Sequence, residues 1–444
     1  MKIVIMGAGA VGTYLAERLS FEGQEVIIVE VDEARAAEVQ RHLDARVIIG
    51  NGASPTVLRE HSLDDSDLMI AVSDSDGANV LACHVAADLG VKRTVARVED
   101  PEMREALTGL EVDFVIDPGE TGAHELVALV RQSGVSEMVE FGDGALVLVG
   151  ATVSSQAGMV GRPLASLVAE HSQAPWVVVA LVRNGATTVA HGHTVIEGGD
   201  HVLMMVEANF VTHAARLMGV RTHRIERVVV FGSTRLAELT IRDLLEAGFD
   251  TVLIDSSADR CRVIAEEHPD SLVMCSDPTD PEVISSLNLD SRDAVLALTG
   301  WDEVNLLTCL LAKAHGAATT VARFNRIEYV SLLAGVGIDA AVSSRLIAAS
   351  EILRFVRRGR VHSVTAFSDT AAEAIEIEVE KSSKAVGLSL LELEMPPGAV
   401  VGGFIRDEEA FVPTGRTEIM VGDRLIIFSL PECFSTVESL FAKS

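Results

Sequence analysis

The residues best placed to do chemistry stand near the N-terminus. Gly7-Ala8-Gly9-Ala10-Val11-Gly12 is a G-x-G-x-x-G turn that follows the apolar run Lys2–Met6 and opens an amphipathic stretch. In that context each glycine has its own role. Gly7 permits a tight turn, Gly9 lets backbone approach a pyrophosphate, and Gly12 allows a helix to pack closely on a sheet. The helix that follows offers free N–H groups and the positive end of its dipole, which suits a phosphate. Glu30 closes the next β-branched run about 20 residues on, where a carboxylate can accept hydrogen bonds from ribose hydroxyls and repels a 2′-phosphate. NAD(H) or an adenosine nucleotide is therefore expected rather than NADP. The remaining candidates end other strands of the same sheet and should face the same crevice: Asn51 and Gly52, Ser73 and Asp74, and Arg97. Asn51 and Ser73 can reach an adenine or a ribose. Arg97 can pair with phosphate or, equally well, with a local acid such as Glu99 or Asp100.

Nothing beside this turn reads as catalytic. A dehydrogenase needs a proton donor or base held over the nicotinamide, from a substrate domain, and the thirteen histidines are scattered. His191-Gly192-His193 is the nearest thing to a metal cluster, but its counterpart later in the chain is Pro413-Thr414-Gly415, which points to a turn. Nothing resembles a Gly-x-Ser-x-Gly, a P-loop or paired catalytic carboxylates, Asp64-Asp65 and Asp407–Glu409 reading as solvated turns, and no catalytic or metal-binding residue is assigned. The five cysteines (Cys83, Cys261, Cys275, Cys309 and Cys433) form no Cys-x-x-Cys pair. They are expected to be reduced, mostly apolar packing residues.

The elements that position the turn are written twice. Asp67–Asn79 (DLMIAVSDSDGAN) returns as Asp293–Asn305 (DAVLALTGWDEVN), 226 residues later, and each is followed by a helix-like stretch and then TVARV or TVARF. Lys2–Met6 with Gly7 matches Arg227–Phe231 with Gly232, and Glu30 matches Asp255. Weaker echoes link Gly161–Leu164 to Gly387–Leu390, and Gly199-Asp200 to Gly422-Asp423. The plan is A–B–A′–B′. In A, short β-branched runs (Lys2–Met6, Glu25–Val29, Ala45–Ile49, Leu68–Val72, Arg93–Arg97, Phe114–Asp117) alternate with amphipathic stretches such as Val11-Leu15-Leu19 and Leu81-Val85-Leu89, which predicts βαβ units and a doubly wound parallel sheet. The B units are richer in strands and read as small α+β modules. Boundaries are expected near Ser133, Arg221 and Val361, with one dense basic segment, Arg354–Arg360, at the A′–B′ junction.

In A′ the glycine turn is worn. Gly232-Ser-Thr234-Arg-Leu-Ala237 keeps only the first glycine, and Thr234 adds a Cβ where phosphate would sit. Cys275-Ser276-Asp277 replaces Gly50-Asn51-Gly52. Asp255 still offers a ribose partner, so binding in A′ is expected to be weakened, altered or lost.

Composition narrows the partners. The 444 residues carry a net charge of −29, yet 48% are apolar. So acidic a chain is a poor general binder of nucleic acid or anionic lipid, while so much apolar side chain can fill several cores. No apolar run approaches the roughly 20 residues of a spanning helix, and no signal-peptide core precedes the first strand.

The A–B–A′–B′ order, together with GAGAVG, GNGAS, AVSDSDGAN and TVARV in the first half and ALTGWDEVN, LLAKAHGA, GVGIDAAVSSR and ILRFVRRGRV in the second, resembles the TrkA family along essentially the whole chain. The resemblance implies two Rossmann-like domains of the RCK type (regulating K⁺ conductance) at 1–120 and 225–345, each followed by a small α+β RCK C-terminal domain, at 138–220 and 364–444. It implies a cytoplasmic, peripheral, non-enzymatic regulatory subunit that forms a homotetrameric ring, a dimer of dimers. The ring sits on a TrkH- or TrkG-like potassium-conducting membrane subunit and responds to NAD(H) and to ATP or ADP. By the same resemblance the cofactor-binding residues are Gly7 to Gly12, Glu30, Asn51, Gly52, Ser73, Asp74 and Arg97, with Gly232 and Asp255 in the second copy. A stand-alone NAD-binding sensor or an NAD-dependent oxidoreductase is the alternative.

Overall fold

The computed structural model describes residues 1–43, 45–106, 112–170, 175–220, 222–326, 336–356, 361–366, 372–407 and 409–441. Strands β1 (Lys2–Met6), β2 (Glu25–Glu30), β3 (Arg46–Ile49), β4 (Leu68–Ala71), β5 (Thr94–Arg97) and β6 (Phe114–Ile116) form a parallel sheet in the order β3-β2-β1-β4-β5-β6. Helices α1 (Ala10–Phe21), α2 (Glu33–His42), α3 (Pro55–Glu60), α4 (Asp76–Leu89) and α5 (Pro101–Ala106) connect them. The central strands are unbroken apolar runs because helices cover both faces; Ile3, Val4 and Ile5 are at most 1% exposed. On α1, Val11, Leu15 and Leu19 all face the core, as their spacing predicts. On α4 the stripe differs. Leu81 is 52% exposed, and the buried face is Asn79, Val80, Ala82, Cys83 and Ala86.

After α6 (Pro118–Arg131), β7 (Glu137–Phe141), β8 (Leu146–Thr152), β9 (Trp176–Arg183), β10 (Ala186–Val189) and β11 (His201–Glu207) form an antiparallel sheet, β10-β9-β11-β8-β7, with α7 (Leu164–Glu170) and α8 (Val211–Leu217). The parallel sheet then recurs as β12 (Arg227–Phe231), β13 (Asp250–Asp255), β14 (Leu272–Cys275), β15 (Asp293–Ala297), β16 (Thr319–Arg323) and β17 (Ala340–Val342), in the order β14-β13-β12-β15-β16-β17. Its helices are α9 (Arg235–Glu246), α10 (Ala258–Glu267), α11 (Pro281–Ser286) and α12 (Asp302–Ala314). Helix α13 (Ser344–Val356) leads to the second antiparallel sheet. That sheet comprises β18 (Val361–Ala366), β19 (Glu373–Glu378), β20 (Ala399–Arg406), β21 (Glu409–Phe411) and β22 (Arg424–Ser429), followed by α14 (Phe434–Phe441). Of the basic segment, 354–356 closes α13 and 357–360 lies outside the described residues. Arg221, expected at a boundary, also lies outside them.

The repeated Gly-Asp pairs have one physical role. Asp200 accepts both prongs of the Arg183 guanidinium at 2.7 Å, plus the Glu197 N–H; Asp423 accepts both prongs of Arg406 at 2.7 Å, plus the Met420 N–H. Burial by itself would raise the Asp200 carboxyl, but the Arg183 fork and the Glu197 N–H hold it below its ordinary value. The two antiparallel sheets share a core. Leu146, Val179 and Met205 pack with Ile405, Ile426 and Phe428, and a Cβ on Gly403 would come within 2.7 Å of Leu146 Cδ1.

Two compact units result: Met1–Pro118 with Arg345–Gly359, and Gly119–Ser344 with Arg360–Ser444. The equivalent helices α6 and α13 are thereby exchanged. In the first unit Phe355 of α13 stacks on Phe114 at 4.9 Å. In the second, Glu120 of α6 takes two hydrogen bonds from Arg242 of α9, at 3.3 and 2.7 Å.

Candidate functional site

Because β1 to β5 are parallel and in register, Gly7, Glu30, Asn51, Ser73 and Arg97 all leave the first sheet at one edge, beside the point where strand order reverses. This is where a doubly wound sheet receives a ligand. Gly7 takes φ +104°, and a Cβ there would lie 3.1 Å from the Ser73 backbone. A Cβ on Gly12 would fall 2.0 Å from the Gly7 carbonyl oxygen, so glycine alone lets α1 start this close to the turn. A Cβ on Gly9 would meet nothing within 4 Å. Gly9 is the N-cap of α1; no side chain caps the helix and no acid stands in its first turn. The turn thus presents uncapped N–H groups and the positive end of a helix to open space, the cradle a phosphate needs.

Glu30 is buried, 6% exposed, and its carboxylate is held from two sides: the Ala8 N–H at 2.6 Å on Oε2 and the Asp32 N–H at 3.0 Å on Oε1. A carboxylate has about four acceptor positions, so each oxygen keeps capacity for a ribose hydroxyl. Its first role is to fix the glycine turn to the end of β2. Asp32 caps α2, and the Arg35 and Ala34 N–H groups hold its carboxyl below the ordinary value. Asn51 accepts the Ala53 N–H at 2.9 Å and is exposed, while Gly52 lies under Met6, whose Cγ would be 2.4 Å from an added Cβ. Asp74 is exposed. Arg97 pairs with Glu99, its Nε donating to Oε1 at 2.8 Å, so the local-acid partner is the one present.

Sequence reading missed the residue that holds this edge together. Asn79, fully buried on α4, accepts the Ser73 N–H (2.8 Å) and hydroxyl (2.7 Å), and donates to the carbonyls of Ser73 and Arg97 (both 3.0 Å). Asp76 accepts the Glu99 and Asp100 N–H groups at 2.9 and 2.8 Å. The signal was present, since the repeated segment ends in Asp-x-x-Asn both times. Asn305 makes the same four bonds to Thr299 and Arg323 (2.6–3.0 Å), and Asp302 accepts from Asn325 and Arg326.

The second edge has the same frame and a different mouth. Gly232 keeps φ +103°. Thr234 caps α9 by accepting the Ala237 N–H at 3.4 Å, and its hydroxyl donates to the Leu298 carbonyl at 2.8 Å. Arg260 donates to the Ser233 carbonyl (3.0 Å) and to Glu238 (3.3 Å). Asp255 accepts only the local Ser257 N–H (2.8 Å) among its side-chain bonds in the described residues and does not reach the turn, being one methylene shorter than Glu30. His191 and His193 are exposed on a turn, and among the described residues no group of three His, Cys, Asp or Glu is arranged to hold a metal. Nor is any described helix long and apolar enough to cross a membrane.

Two doubly wound sheets with strand-edge crevices, alternating with two small antiparallel modules, define a tandem RCK architecture. The fold of the GsuK RCK domain covers 99% of this chain and 94% of its own at a TM-score of 0.60 and 17% identity. The GsuK channel bound to NAD gives 0.59 at 18% identity, covering 99% of this chain and 78% of its own. The TrkA-N domain family matches residues 3–118 and 228–344, and the TrkA-C domain family matches 374–442. The Trk system potassium uptake protein TrkA of Vibrio alginolyticus is 32% identical over 455 residues, covering 100% of this chain and 99% of its own. A TrkA homolog of Archaeoglobus fulgidus is 32% identical over 447 residues, covering 99% and 100%. The chain belongs to the TrkA family, as its repeated stretches led one to expect.

Proposed function

We propose that this protein is the nucleotide-sensing regulatory subunit of a Trk-type potassium uptake system, and that it is not an enzyme. The observation that carries the reading is the uncapped cradle at Gly7–Gly12 with Glu30 fastened beside it. Phosphates of NAD(H), ATP or ADP sit on the α1 N-terminus, a ribose hydroxyl takes a free acceptor position of Glu30, and Asn51, Gly52, Ser73 and Asp74 line the mouth. Full-length similarity to Trk system potassium uptake proteins supports the setting. Copies of the chain form a tetrameric ring, a dimer of dimers, on the cytoplasmic face of a TrkH-like pore. The nucleotide acts by binding one ring state more tightly than the other. The net charge of −29 suits docking on Lys- and Arg-rich cytoplasmic loops. The same reading puts nucleotide-type modules at 1–120 and 225–345 and companion modules at 138–220 and 364–444, with Gly232 and Asp255 marking a second crevice where binding is weakened, altered or lost.

The test is potassium uptake in cells that depend on a TrkH-like pore, carrying the wild type or Gly9→Asp. An anion placed in the cradle should abolish nucleotide control while the protein still co-purifies with the pore. Unchanged control refutes the site. Loss of co-purification in the wild type refutes the partner.

A further inference from the structure

The second crevice carries two thiols where the first has none. Cys261 and Cys275 occupy the positions of Ala36 and Gly50 in the first copy. Cys261 lies on α10, 6% exposed, with its Sγ 3.4 Å from the Asp255 carbonyl and 3.9 Å from that of Met274. It therefore sits between the ends of β13 and β14. Cys275 ends β14, paired in register with Asp255, and its Sγ lies 3.8 Å from the Ser256 carbonyl. Each thiol thus touches the residue next to the other's own backbone contact. Burial, and then the adjacent Cys275 thiol, push the Cys261 thiol above its ordinary value. Cys275 is exposed, whereas Cys83 and Cys309 are buried in the sheets' cores. The two cysteines therefore divide naturally into an accessible attacker and a sheltered resolver.

We propose that Cys261 and Cys275 form a redox site at the mouth of the second crevice, closing to a disulfide on reaction with a hydroperoxide. The Cys275 thiolate attacks the O–O bond, taking the distal oxygen as its sulfenic acid while the other oxygen leaves and is protonated to alcohol or water. The Cys261 sulfur then displaces hydroxide from the sulfenic sulfur, and its proton departs with that hydroxide as water. Two thiols and one hydroperoxide become one disulfide, one water and one alcohol, or a second water when the oxidant is hydrogen peroxide. The bond ties the start of α10 to the end of β14 beside Asp255. The crevice that lost its phosphate cradle thereby responds to oxidation instead.

The test is peptide mapping of the full-length protein after hydrogen peroxide, with and without later dithiothreitol. The expected result is a Cys261 peptide joined to a Cys275 peptide within one chain, released by the reductant. In Cys261→Ala, which installs the first copy's residue and is checked for an unaltered melting curve, Cys275 should be trapped by dimedone as sulfenic acid in place of the link. A Cys275 that resists oxidation, or that links only between chains or to Cys433, overturns the proposal.

Discussion

The two parallel sheets share a skeleton and differ at the lip. In both, a buried asparagine ties the ends of two neighbouring strands with four hydrogen bonds, and an aspartate three residues earlier holds the segment after the next strand. The first sheet leaves its helix uncapped and fastens Glu30 to the turn. The second satisfies the equivalent helix with its own Thr234, covers the Ser233 carbonyl with Arg260, and neutralises that arginine with Glu238. What keeps a doubly wound sheet folded is thus separable from what lets it receive a nucleotide.

That separation can be broken at several points. The largest effect should come from the shared clamp. Asn79→Ala and Asn305→Ala each strand a buried N–H and two carbonyls, costing about 3–4 kcal/mol. Hydrogen exchange of the strand-end amides should show equal losses in the two sheets, with NADH binding falling only in Asn79→Ala; unequal losses would mean the clamps are not equivalent. The antiparallel modules offer a second contrast. β11 starts with His201, whose buried Nε2 has no partner among the described residues and whose burial pulls the imidazole down to about 4, whereas β22 starts with Arg424, paired to Glu376 at 2.8 Å. Burial disfavours protonated His201 in the folded chain, while the unfolded chain accepts the proton at the ordinary value. The first module's stability is therefore full above pH 6.5 and lost as pH falls from about 6.5 toward 4, by up to about 3 kcal/mol. Acid unfolding followed by exchange should strike residues 137–207 first, and His201→Leu should flatten the profile.

Smaller effects probe the lip itself. Gly12→Ala puts a Cβ 2.0 Å from the Gly7 carbonyl oxygen, so the turn must shift to accept it. Calorimetry should find nucleotide affinity reduced about tenfold to a hundredfold, or 1.4–2.7 kcal/mol, while Ala237→Gly changes nothing. Thr234→Gly removes a helix cap at about 1 kcal/mol or less. It should leave binding at one nucleotide per chain, since Arg260 still covers the Ser233 carbonyl at the second mouth; a second equivalent would show that Thr234 alone closes it.

The first strand, the βαβ order, the repeat and the glycine turn were legible because each depends on local pattern. The ends of β1 to β6 fall within a residue of where β-branched runs stop. The stripe Leu81-Val85-Leu89 misled because the buried face of α4 runs instead through Asn79, Val80, Cys83 and Ala86, which leaves Leu81 in solvent. Arg97's choice of Glu99 over a ligand, and Asn79's reach across two strands, depend on distances that spacing does not encode. The wear in A′ was visible as Thr234, but its closure by Arg260 and Glu238 needs side chains brought together from two different helices and a turn.

The exchanged helices bear on how the chain is made. The unit built on the first sheet includes Arg345–Gly359, with Phe355 covering Phe114. A ribosome must therefore synthesise about four-fifths of the 444 residues before that unit can be completed. Until then the nascent chain carries a nucleotide-type sheet with an uncovered aromatic edge, waiting on a contact of very long sequence separation, the kind that forms slowly. A fragment ending before residue 345 lacks the helix that completes this unit and the ring that covers Phe114.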